Sequence, residues 1–467
     1  MKRHRIFILC AFCFLVLIAV SSNTDLRASN TPMISIALSQ PTIFATHGEL
    51  ENFGFVWGPS DGTFGAIPTG GGGNYEFYGS TSGGPTCSGA PNEKGAFSFT
   101  GTLNQITGSG CVRFFGPGDG PSGWLFDENY SGGGQVVPFT YNGQSGWLMP
   151  FHAEEWWQNP MTSDYKCNNV PCFYSSLGLA VSTDGGKTFK VVGEILQPSE
   201  PFSAFEGGGR NMAVGTGSLV VADANGNHLP NPPPNPNSAY FYLFYTDLAT
   251  GLQGACANNP CMGVARAPYQ EVAQAALSGN ATQVATLFRK YNGAVPDPWT
   301  QPATSDTPGQ TGKAGVYAPL WTDDWVSQPS VIYDSSINGY LVAYQSEGSI
   351  RIRASYDLIN WSEPIGSGYA EAGYMPYAPT LLGETGDPTT AGLTPRLYFT
   401  SFPSNSFPNW KTSTFDTVQL TISENSSASS SLSTGSLMVS ERVAWIGLRR
   451  FNGLVETLGF LREIPRV

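Results

Sequence analysis

The sequence predicts an all-β protein, a five-bladed β-propeller with one short helical insertion. Two observations carry this prediction: strand-like segments recur in five groups along the chain, and two of these groups contain closely matching turns. The composition agrees, because the 467 residues include 56 glycines and 35 prolines while only 12% are charged. Abundant turn formers with few charged residues are typical of a loop-rich β protein and disfavour helical bundles and disordered chains.

The matching turns are Ser182–Phe189 (STDGGKTF) and Ser355–Trp361 (SYDLINW). Each follows an alternating apolar segment, at 177–181 and 350–354, and each precedes further strand-like sequence. An Asp in such a turn accepts backbone N–H bonds, glycines permit positive φ, and the final aromatic ring packs beneath the turn. Both stretches are therefore predicted to be β-hairpins held by their own Asp, with structural rather than catalytic turn residues.

Each of the five groups of strand-like segments is compatible with one four-stranded blade. A period of roughly 45–70 residues is typical of a propeller, whereas a jelly roll or sandwich would not repeat hairpin by hairpin over so long a chain. Residues 269–291 in the third group show helical periodicity interrupted at Gly279-Asn280, which predicts a broken surface helix. The approximate bounds of the groups are 50–115, 122–197, 210–292, 315–366 and 374–422.

The two ends of the chain differ from the repeating part. Residues 1–28 combine a basic start with an apolar core at 6–20 and are predicted to be an export signal, with an uncleaved anchor as the alternative. Residues 29–45 are predicted to be a polar leader, and residues 46–423 the propeller. Residues 424–467 are first Ser-rich and then contain several arginines. They either supply a strand that closes the ring or form a tail.

Six cysteines lie beyond the predicted signal, in three close pairs. An even number in an exported chain favours disulfides, although six cysteines permit 15 connectivities. We expect neighbours to pair because each pair brackets a loop rich in Gly, Pro or Asn. Zinc binding is the alternative, but no histidines lie nearby. The predicted location is therefore periplasmic or secreted, since disulfides persist in oxidising compartments. The expected pairs are Cys87 with Cys111, Cys167 with Cys172, and Cys256 with Cys261.

The charge balance narrows the class of partner. The formal net charge is -12 at pH 7, which disfavours nucleic acid and anionic membrane surfaces. Aromatic residues make up 13% of the chain. Such rings stack on sugars as well as filling β cores, and core packing is the expected role of most of them. A carbohydrate ligand and a monomeric protein are expected.

The two hairpins resemble motifs of known propeller families. Ser182–Phe189 is similar to the Asp box of sialidases, with Phe189 in place of the usual Trp. Ser355–Trp361 resembles the Ser-x-Asp-Leu-x-x-Trp hairpin of five-bladed glycoside hydrolases of the arabinanase, xylosidase and invertase type. The resemblance covers roughly residues 120–420 and implies cleavage of a glycosidic bond by paired carboxyl groups in an axial funnel. The Asp-Pro and Arg-Asp-Pro signatures that often carry the acids of arabinanases and invertases are absent from the strand-like segments.

Three carboxylates are the candidates for this chemistry. Glu154, in the segment FHAEEWW, resembles the His-x-Glu segment of some propeller glycosidases and is the expected general acid. Glu155 is its rival, because a strand alternates its faces. Asp127 precedes a predicted strand, as the base does in the family, and is the expected base or nucleophile. Glu206, within FEGGGRN, is the expected modulator of pKa. The structural alternatives are an ordinary loop Asp for Asp127 and a flexible connection for the glycines beside Glu206.

Six further residues are expected to contact a substrate because they lie near these acids or open a blade. The alternatives are that the His is structural, that the Trp side chain is rim packing, and that the Asp lies in a solvated loop. The residues are His152, Trp156, Arg210, Asp324, Trp325 and Gln328.

No cofactor is predicted. The segment Asp223–Asn227 (DANGN) has oxygen ligands at alternate positions, so structural calcium stays open, but a hairpin turn is the favoured interpretation. The sequence therefore predicts an exported glycoside hydrolase-like enzyme. The rival functions are a non-catalytic carbohydrate-binding propeller and a propeller that serves as an interaction scaffold.

Overall fold

A computed structural model describes most of the chain between residues 33 and 425. The predicted export signal, Glu206, Arg210, and residues 426–467 lie outside the described residues. The described ranges are 33–52, 62–70, 73–82, 94–108, 112–156, 166–167, 170–171, 173–200, 214–248, 252–257, 259–309, 313–406 and 409–425.

Five mainly antiparallel β-sheets follow one another along the chain, and they form the five blades that the sequence predicts. The chain enters each blade through its inner strand, and the long strands that follow are added outward from it. Two strands and a short helix precede the first blade: β1 (Met33–Leu38), β2 (Thr42–Thr46) and α1 (His47–Asn52).

Blades 1 and 2 occupy residues 65–196. Blade 1 contains β3 (Gly65–Pro68), β4 (Asn74–Ser82), β5 (Lys94–Thr102), β6 (Gln105–Ile106) and β7 (Val112–Phe115). Blade 2 contains β8 (Tyr130–Gly132), β9 (Val137–Tyr141), β10 (Gln144–Trp156), β13 (Phe173–Ser182) and β14 (Lys190–Leu196). A two-stranded sheet, β11 (Lys166–Cys167) and β12 (Val170–Pro171), lies between β10 and β13 in the chain.

Blade 3 carries the predicted helical insertion between its third and fourth strands. The insertion is α2 (Tyr269–Ser278) and α3 (Ala281–Leu287), and Gly279 ends α2 at φ 65° while the Asn280 side chain caps α3. The predicted break at Gly279-Asn280 is thus confirmed. The strands are β15 (Ser218–Asp223), β16 (Ala239–Asp247), β17 (Cys261–Pro268), β18 (Arg289–Lys290) and β19 (Gln301–Pro302).

Blades 4 and 5 complete the series. Blade 4 contains β20 (Ser327–Asp334), β21 (Gly339–Ser346) and β22 (Ser349–Ser355), and the short β24 (Thr390–Ala391) pairs with β20. Blade 5 contains β23 (Tyr374–Leu382), β25 (Arg396–Pro403) and β26 (Thr414–Asn425). Short 3-10 helices lie at Pro236–Ser238, Gly254–Ala257 and Trp410–Thr412.

The N-terminal strands close the ring. β1 pairs with β26 from Met33 opposite Asn425 to Leu38 opposite Leu420, and β2 pairs with the first half of the same strand. The described part of the expected polar leader at 29–45 differs from that expectation, because it contains β1 and all but the last residue of β2. The described propeller spans 33–425 rather than 46–423. The alternating apolar side chains of β1 pack against the hydrophobic cluster between blades 4 and 5.

Both predicted hairpin turns are held by their own Asp. In blade 2 the Asp184 carboxylate accepts bonds from the backbone N–H and hydroxyl of Thr188, at 3.0 and 2.6 Å. In blade 4 the Asp357 carboxylate accepts the N–H groups of Ile359 and Asn360, at 3.0 and 2.7 Å. These contacts establish the turn structure and do not show a relationship to sialidases.

A hydrophobic cluster fills each interface between neighbouring blades. The largest lies between blades 2 and 3, where Leu148 and Leu177 pack with Leu219 and with Val272 of α2. The cluster between blades 5 and 1 is aromatic, with Phe44 at the centre of four ring contacts. Because apolar side chains occupy both faces of the blades, the sheets show buried runs in place of a clean alternation.

Four hydrogen bonds, called here the inner-strand ring, join the inner strands of blades 2, 3, 4, 5 and 1 in that order. Each blade has one polar residue at the same position in or just before its inner strand. In blades 2 to 5 the side chain of this residue accepts a hydrogen bond from the next blade, and the donor is the backbone N–H one residue after the equivalent position there. The acceptor side chains and Thr63, the corresponding residue of blade 1, are all buried. The bonds are Leu219 N–H to Gln135 (2.7 Å), Val331 N–H to Ser218 (2.9 Å), Leu381 N–H to Ser330 (2.9 Å) and Phe64 N–H to Thr380 (3.1 Å).

Two contacts of this inner-strand ring reach blades that are not neighbours. The Gln135 amide donates to the Val331 carbonyl at 3.0 Å, joining blade 2 to blade 4. The Thr63 hydroxyl donates to the Gly217 carbonyl at 3.4 Å, joining blade 1 to blade 3. A bond between non-adjacent inner strands must cross the axis, so these side chains occupy the axial channel. The end of the propeller at which the inner strands begin is called here the upper face.

Ser218→Ala is expected to lower the free energy of unfolding by about 1–3 kcal/mol, because it leaves the buried Val331 N–H without its acceptor. Denaturant unfolding of the purified protein measures this change. The exposed Ser367→Ala serves as the matched control and is expected to unfold at the midpoint of the unsubstituted protein. Equal midpoints for the two variants would show that the inner-strand ring does not contribute to stability.

Candidate functional site

The upper end of β10 carries a paired histidine and glutamate. His152 Nε2 lies 2.9 Å from Glu154 Oε1, and the two side chains are 8% and 12% exposed. The ring of Tyr130, on the inner strand, meets the imidazole edge-on at 5.9 Å. A nearly buried imidazole can donate a hydrogen bond to an ionised carboxylate or accept one from a protonated carboxyl group, so the contact can form with the carboxyl group in either state.

The pair faces blade 3. Pro150, two residues earlier on β10, lies against Gly217 of blade 3, and alternation places His152 and Glu154 on the same face. Ser175 is the cross-strand partner of Glu154. Its hydroxyl donates to the Val214 carbonyl at 2.7 Å and accepts the Val214 N–H at 2.9 Å. Glu154 therefore lies beside the point where the chain enters blade 3.

Glu155 points to the opposite face. Its neighbours on that face, Phe151 and Ala153, pack in the interface between blades 1 and 2. Burial, followed by the charge of Glu128, raises the pKa of Glu155 to about 7. The structure thus places the two rival glutamates in different inter-blade interfaces, with only Glu154 beside His152.

Both ends of the segment that carries Glu206 and Arg210 are firmly held, although the two residues lie outside the described residues. Before the segment, the Ser199 N–H and hydroxyl donate to the buried Asp247 carboxylate at 3.0 and 2.7 Å. Lys290, also buried, donates to the Gln197 carbonyl at 2.7 Å and lies 3.4 Å from Asp247. After the segment, Val214 pairs with Asp247 and bonds to Ser175. Ser199 and Val214, the described residues on either side of the segment, therefore both contact Asp247.

Asp127 is completely buried where the chain passes from blade 1 to blade 2. Its carboxylate accepts the Gly120 N–H at 2.9 Å, and its backbone carbonyl accepts the Gly118 N–H. Burial raises the pKa of Asp127 to about 6. The role of Asp127 as base or nucleophile stays a prediction, and a substrate could reach it only if the loop at 118–120 moved.

Asp324 is engaged with protein groups. Tyr344 and Arg351 donate to one of its carboxylate oxygens, both at 2.9 Å, and the Ser346 hydroxyl donates to the other. These bonds fix the connection into blade 4 against β21 and β22. Trp325, the next residue, is half-buried at the upper face. Of the other predicted contact residues, the side chain of Trp156 lies outside the described residues.

Gln328 occupies a strained position above the inner-strand ring. Its φ is 50°, in the left-handed region that disfavours side chains, and Ala378 at φ 54° holds the matching position in blade 5. Both residues lie at register shifts of inner strands. The Gln328 amide donates to the Tyr377 hydroxyl at 2.9 Å. Bulges and positive φ concentrate at functional sites, where they redirect side chains, so this pair marks the upper face as a candidate site.

Glu194 is a completely buried acid of blade 2. It accepts bonds from the Gly309 N–H at 2.6 Å and the Gln197 amide at 2.9 Å. Burial raises the pKa of Glu194 to about 8. The carboxyl group thus retains its proton near neutral pH and helps to hold the segment that precedes Ser199.

Ser175 and Tyr377 are site residues that the sequence analysis did not identify. Ser175 lies in an apolar strand and is revealed only by its cross-strand register with Glu154. Tyr377 could have been found by aligning Gln328-Pro329-Ser330 with Ala378-Pro379-Thr380, which shows that the two inner strands share a pattern.

The predicted disulfide between Cys256 and Cys261 is present. The other two predicted pairs involve residues outside the described part of the chain or side chains that it does not include. No group of three or more potential ligands is arranged to hold a metal ion among the described residues. In the turn at 223–227, the Asp223 carboxylate accepts the N–H groups of Asn225 and Asn227, at 2.8 and 2.9 Å.

None of the helices in the described part of the chain is long and apolar enough to cross a membrane.

No protein family model and no curated protein matches the sequence. Solved structures of low similarity include the catalytic domain of a GH62 alpha-L-arabinofuranosidase from Coprinopsis cinerea. It has 11% identity, a TM-score of 0.44, and coverage of 84% of this chain and 98% of that chain. An alpha-L-arabinofuranosidase from Podospora anserina has 10% identity, a TM-score of 0.41, and coverage of 83% and 97%.

A glycosyl hydrolase from Bacteroides ovatus has 11% identity, a TM-score of 0.38, and coverage of 84% of this chain and 92% of that chain. The predicted resemblance to glycoside hydrolases is thus confirmed as a resemblance, at a level that carries no argument about activity. The propeller assignment rests on the five sheets themselves.

The protein is expected to lose stability as pH rises from about 4.5 to about 8. The pKa of Glu194 is about 8 against an ordinary value of 4.5, and that of Asp127 is about 6 against 3.8. The folded state therefore binds more protons than the unfolded state across this window, and raising pH favours unfolding. Melting temperatures measured through the window test this dependence.

Glu194→Gln is expected to flatten that pH profile, because an amide resembles the protonated acid and does not titrate. The exposed Glu271→Gln is the matched control and should retain the slope. An unchanged slope in the Glu194 variant would rule out this carboxyl group as a source of the pH dependence.

Proposed function

We propose that the protein hydrolyses a glycosidic bond in an oligo- or polysaccharide, with the upper face as its active site. The observation that carries the proposal is the nearly buried His152–Glu154 pair, which lies beside the start of blade 3. Glycosidases need a carboxylic acid that protonates the leaving oxygen, and a neighbouring imidazole can orient that acid and store its proton. Glu154 is the proposed general acid, and His152 is the residue that positions it.

A second carboxyl group must act as base or nucleophile. Asp127 is the residue predicted for this role, and Glu206 is predicted to modulate pKa. Burial of Asp127 and its bond to Gly120 favour a structural role, so we propose Glu206 as the partner of Glu154. The described residues on either side of its segment, Ser199 and Val214, are anchored to Asp247 and Ser175, and Ser175 is the cross-strand partner of Glu154.

Trp325, Gln328 and Tyr377 are the proposed contacts with the sugar. Trp325 is half-buried and can stack on a sugar ring, while the Gln328 amide and the Tyr377 hydroxyl can bond to hydroxyl groups. The disulfide between Cys256 and Cys261 supports an exported protein that works in an oxidising compartment.

Glu154→Gln is expected to reduce kcat for an aryl glycoside or oligosaccharide at least about a hundredfold, because the amide cannot donate the proton. The melting temperature should stay unchanged. A panel of such substrates, with product release and thermal shift measured together, tests both points. Unchanged turnover would remove Glu154 from the mechanism, and ligand-induced stabilisation without turnover in the unsubstituted protein would favour the carbohydrate-binding alternative.

Substitutions at Glu206 and Asp127 test which of these residues acts as the second carboxyl group. Glu206→Gln is expected to abolish turnover at an unchanged melting temperature. Asp127→Asn is expected to retain turnover and to melt at a lower temperature, because the loop at 118–120 is held less firmly. The reverse pattern would assign the second carboxyl role to Asp127.

Gln328→Ala is expected to raise KM about tenfold and to leave kcat nearly unchanged, since the residue is proposed to bind a hydroxyl group in both ground and transition states. Michaelis–Menten measurements on the hydrolysed substrate supply both constants. A fall in kcat at constant KM would instead place Gln328 next to the reacting atoms.

A further inference from the structure

A cavity lies on blade 3, away from the upper face. Its volume is about 320 Å³. Tyr240 lines it at the start of β16, opposite Ala222 near the end of the inner strand β15, so the cavity belongs to the lower end of the blade. The other residues that matter for its chemistry are Arg266, Arg289, Trp299, Glu271 and Asp297.

Two arginines stand directly opposite each other in this cavity. Arg266 on β17 is the cross-strand partner of Arg289 on β18. Directly opposite residues on paired strands have Cβ atoms about 4.5–5.5 Å apart, and two like charges at such positions destabilise the sheet. Neither arginine forms an ion pair within the described part of the chain. The arginines that do so there are Arg113, Arg351, Arg353 and Arg396.

The Arg266 guanidinium is held in one orientation. It lies between the rings of Tyr240 and Trp299, with its central carbon 4.6 and 4.3 Å from the two ring centres. One of its Nη atoms donates to the Ala224 carbonyl at 2.9 Å. The other Nη can donate to a ligand. A guanidinium fixed in this way loses little conformational freedom when it binds a planar anion.

The remaining charges limit which anion fits. Glu271 and Asp297 also line the cavity, so its two positive charges are balanced by two negative ones. Asp297 accepts the Trp299 N–H at 3.0 Å, which holds this carboxylate in its own turn. A group that carries two or more negative charges, such as a phosphate or sulfate ion, would meet repulsion from these carboxylates, whereas one carboxylate group can bind the arginine pair in a bidentate manner while any other charges on its molecule stay outside the cavity.

We propose that this arginine pair binds the carboxylate of an acidic sugar, a uronic acid residue of a saccharide. The carboxylate follows from the opposed guanidiniums and the charge balance of the cavity. The saccharide part rests on the proposed function, because a polysaccharide-degrading propeller would gain affinity from a second contact with its polymer. The cavity is large enough for a single sugar residue.

Calorimetric titration of the full-length mature protein with trigalacturonic acid at low ionic strength tests the proposal. Binding is expected for the unsubstituted protein, and Arg289→Ala should weaken it about tenfold or more. Lys187→Ala removes one exposed positive charge from a hairpin of blade 2 and is the matched control, with unchanged affinity expected. Arg289→Lys keeps the positive charge but lacks the paired N–H donors that bind a carboxylate in a bidentate manner, so it should give an intermediate affinity.

Absence of binding, or equal affinities for Arg289→Ala and Lys187→Ala, would overturn the proposal. Competition by inorganic sulfate as effective as by galacturonate would overturn the sugar assignment, and binding of maltotriose with equal affinity would overturn the role of the carboxylate. Because the titration does not depend on turnover, the site can be established even if hydrolysis fails. If the protein hydrolyses a saccharide but its affinity for trigalacturonic acid does not depend on Arg289, the carboxylate site is disproved and the proposed function is not.

Discussion

The inner-strand ring is the constraint on which the rest of the propeller depends. Each blade alone is a small twisted sheet, and the apolar clusters between blades are non-directional and tolerate sliding. The bonds from Gln135, Ser218, Ser330 and Thr380 fix the height of each inner strand against the next. That common level places Gln328 and Tyr377 at the same end as the His152–Glu154 pair. Without this fixed height, residues from different blades would not meet in a defined site.

The architecture was largely accessible from the sequence, because hairpin turns and apolar strands are local patterns. The turns at Asp184 and Asp357 and the helix break at Gly279 depend on neighbouring residues, and all were predicted. The strand at Met33–Leu38 was missed because it is short and its partner is β26. Nothing in a six-residue segment indicates which distant strand it will join. The polar residues of the inner-strand ring escaped notice for the same reason, since each differs in type and bonds to another blade.

The candidate site was less accessible. The sequence places His152 and Glu154 together, but strand alternation leaves Glu155 as a rival, and only the contact of Pro150 with blade 3 shows which face each glutamate occupies. Burial of Asp127 depends on the loop at 118–120 folding over it, a contact that spacing does not reveal. Asp324 also looked like a solvated loop residue, and its bonds to Tyr344 and Arg351 arise only when β21 and β22 are in place. Chemical type was thus predictable, while the face and degree of burial depended on tertiary packing.

Closure of blade 5 by β1 bears on how the chain acquires its structure. In the order of synthesis, β1 and β2 come before all five blades and their partner β26 comes after the other strands of these blades, so the ring cannot close until β26 has been made. Closing so long a loop carries an entropic cost and slows folding. In the interval, β1 and the edge of blade 5 expose unpaired backbone groups that invite association with other chains. The nascent chain, rather than the finished propeller, is therefore the form that most needs protection by chaperones.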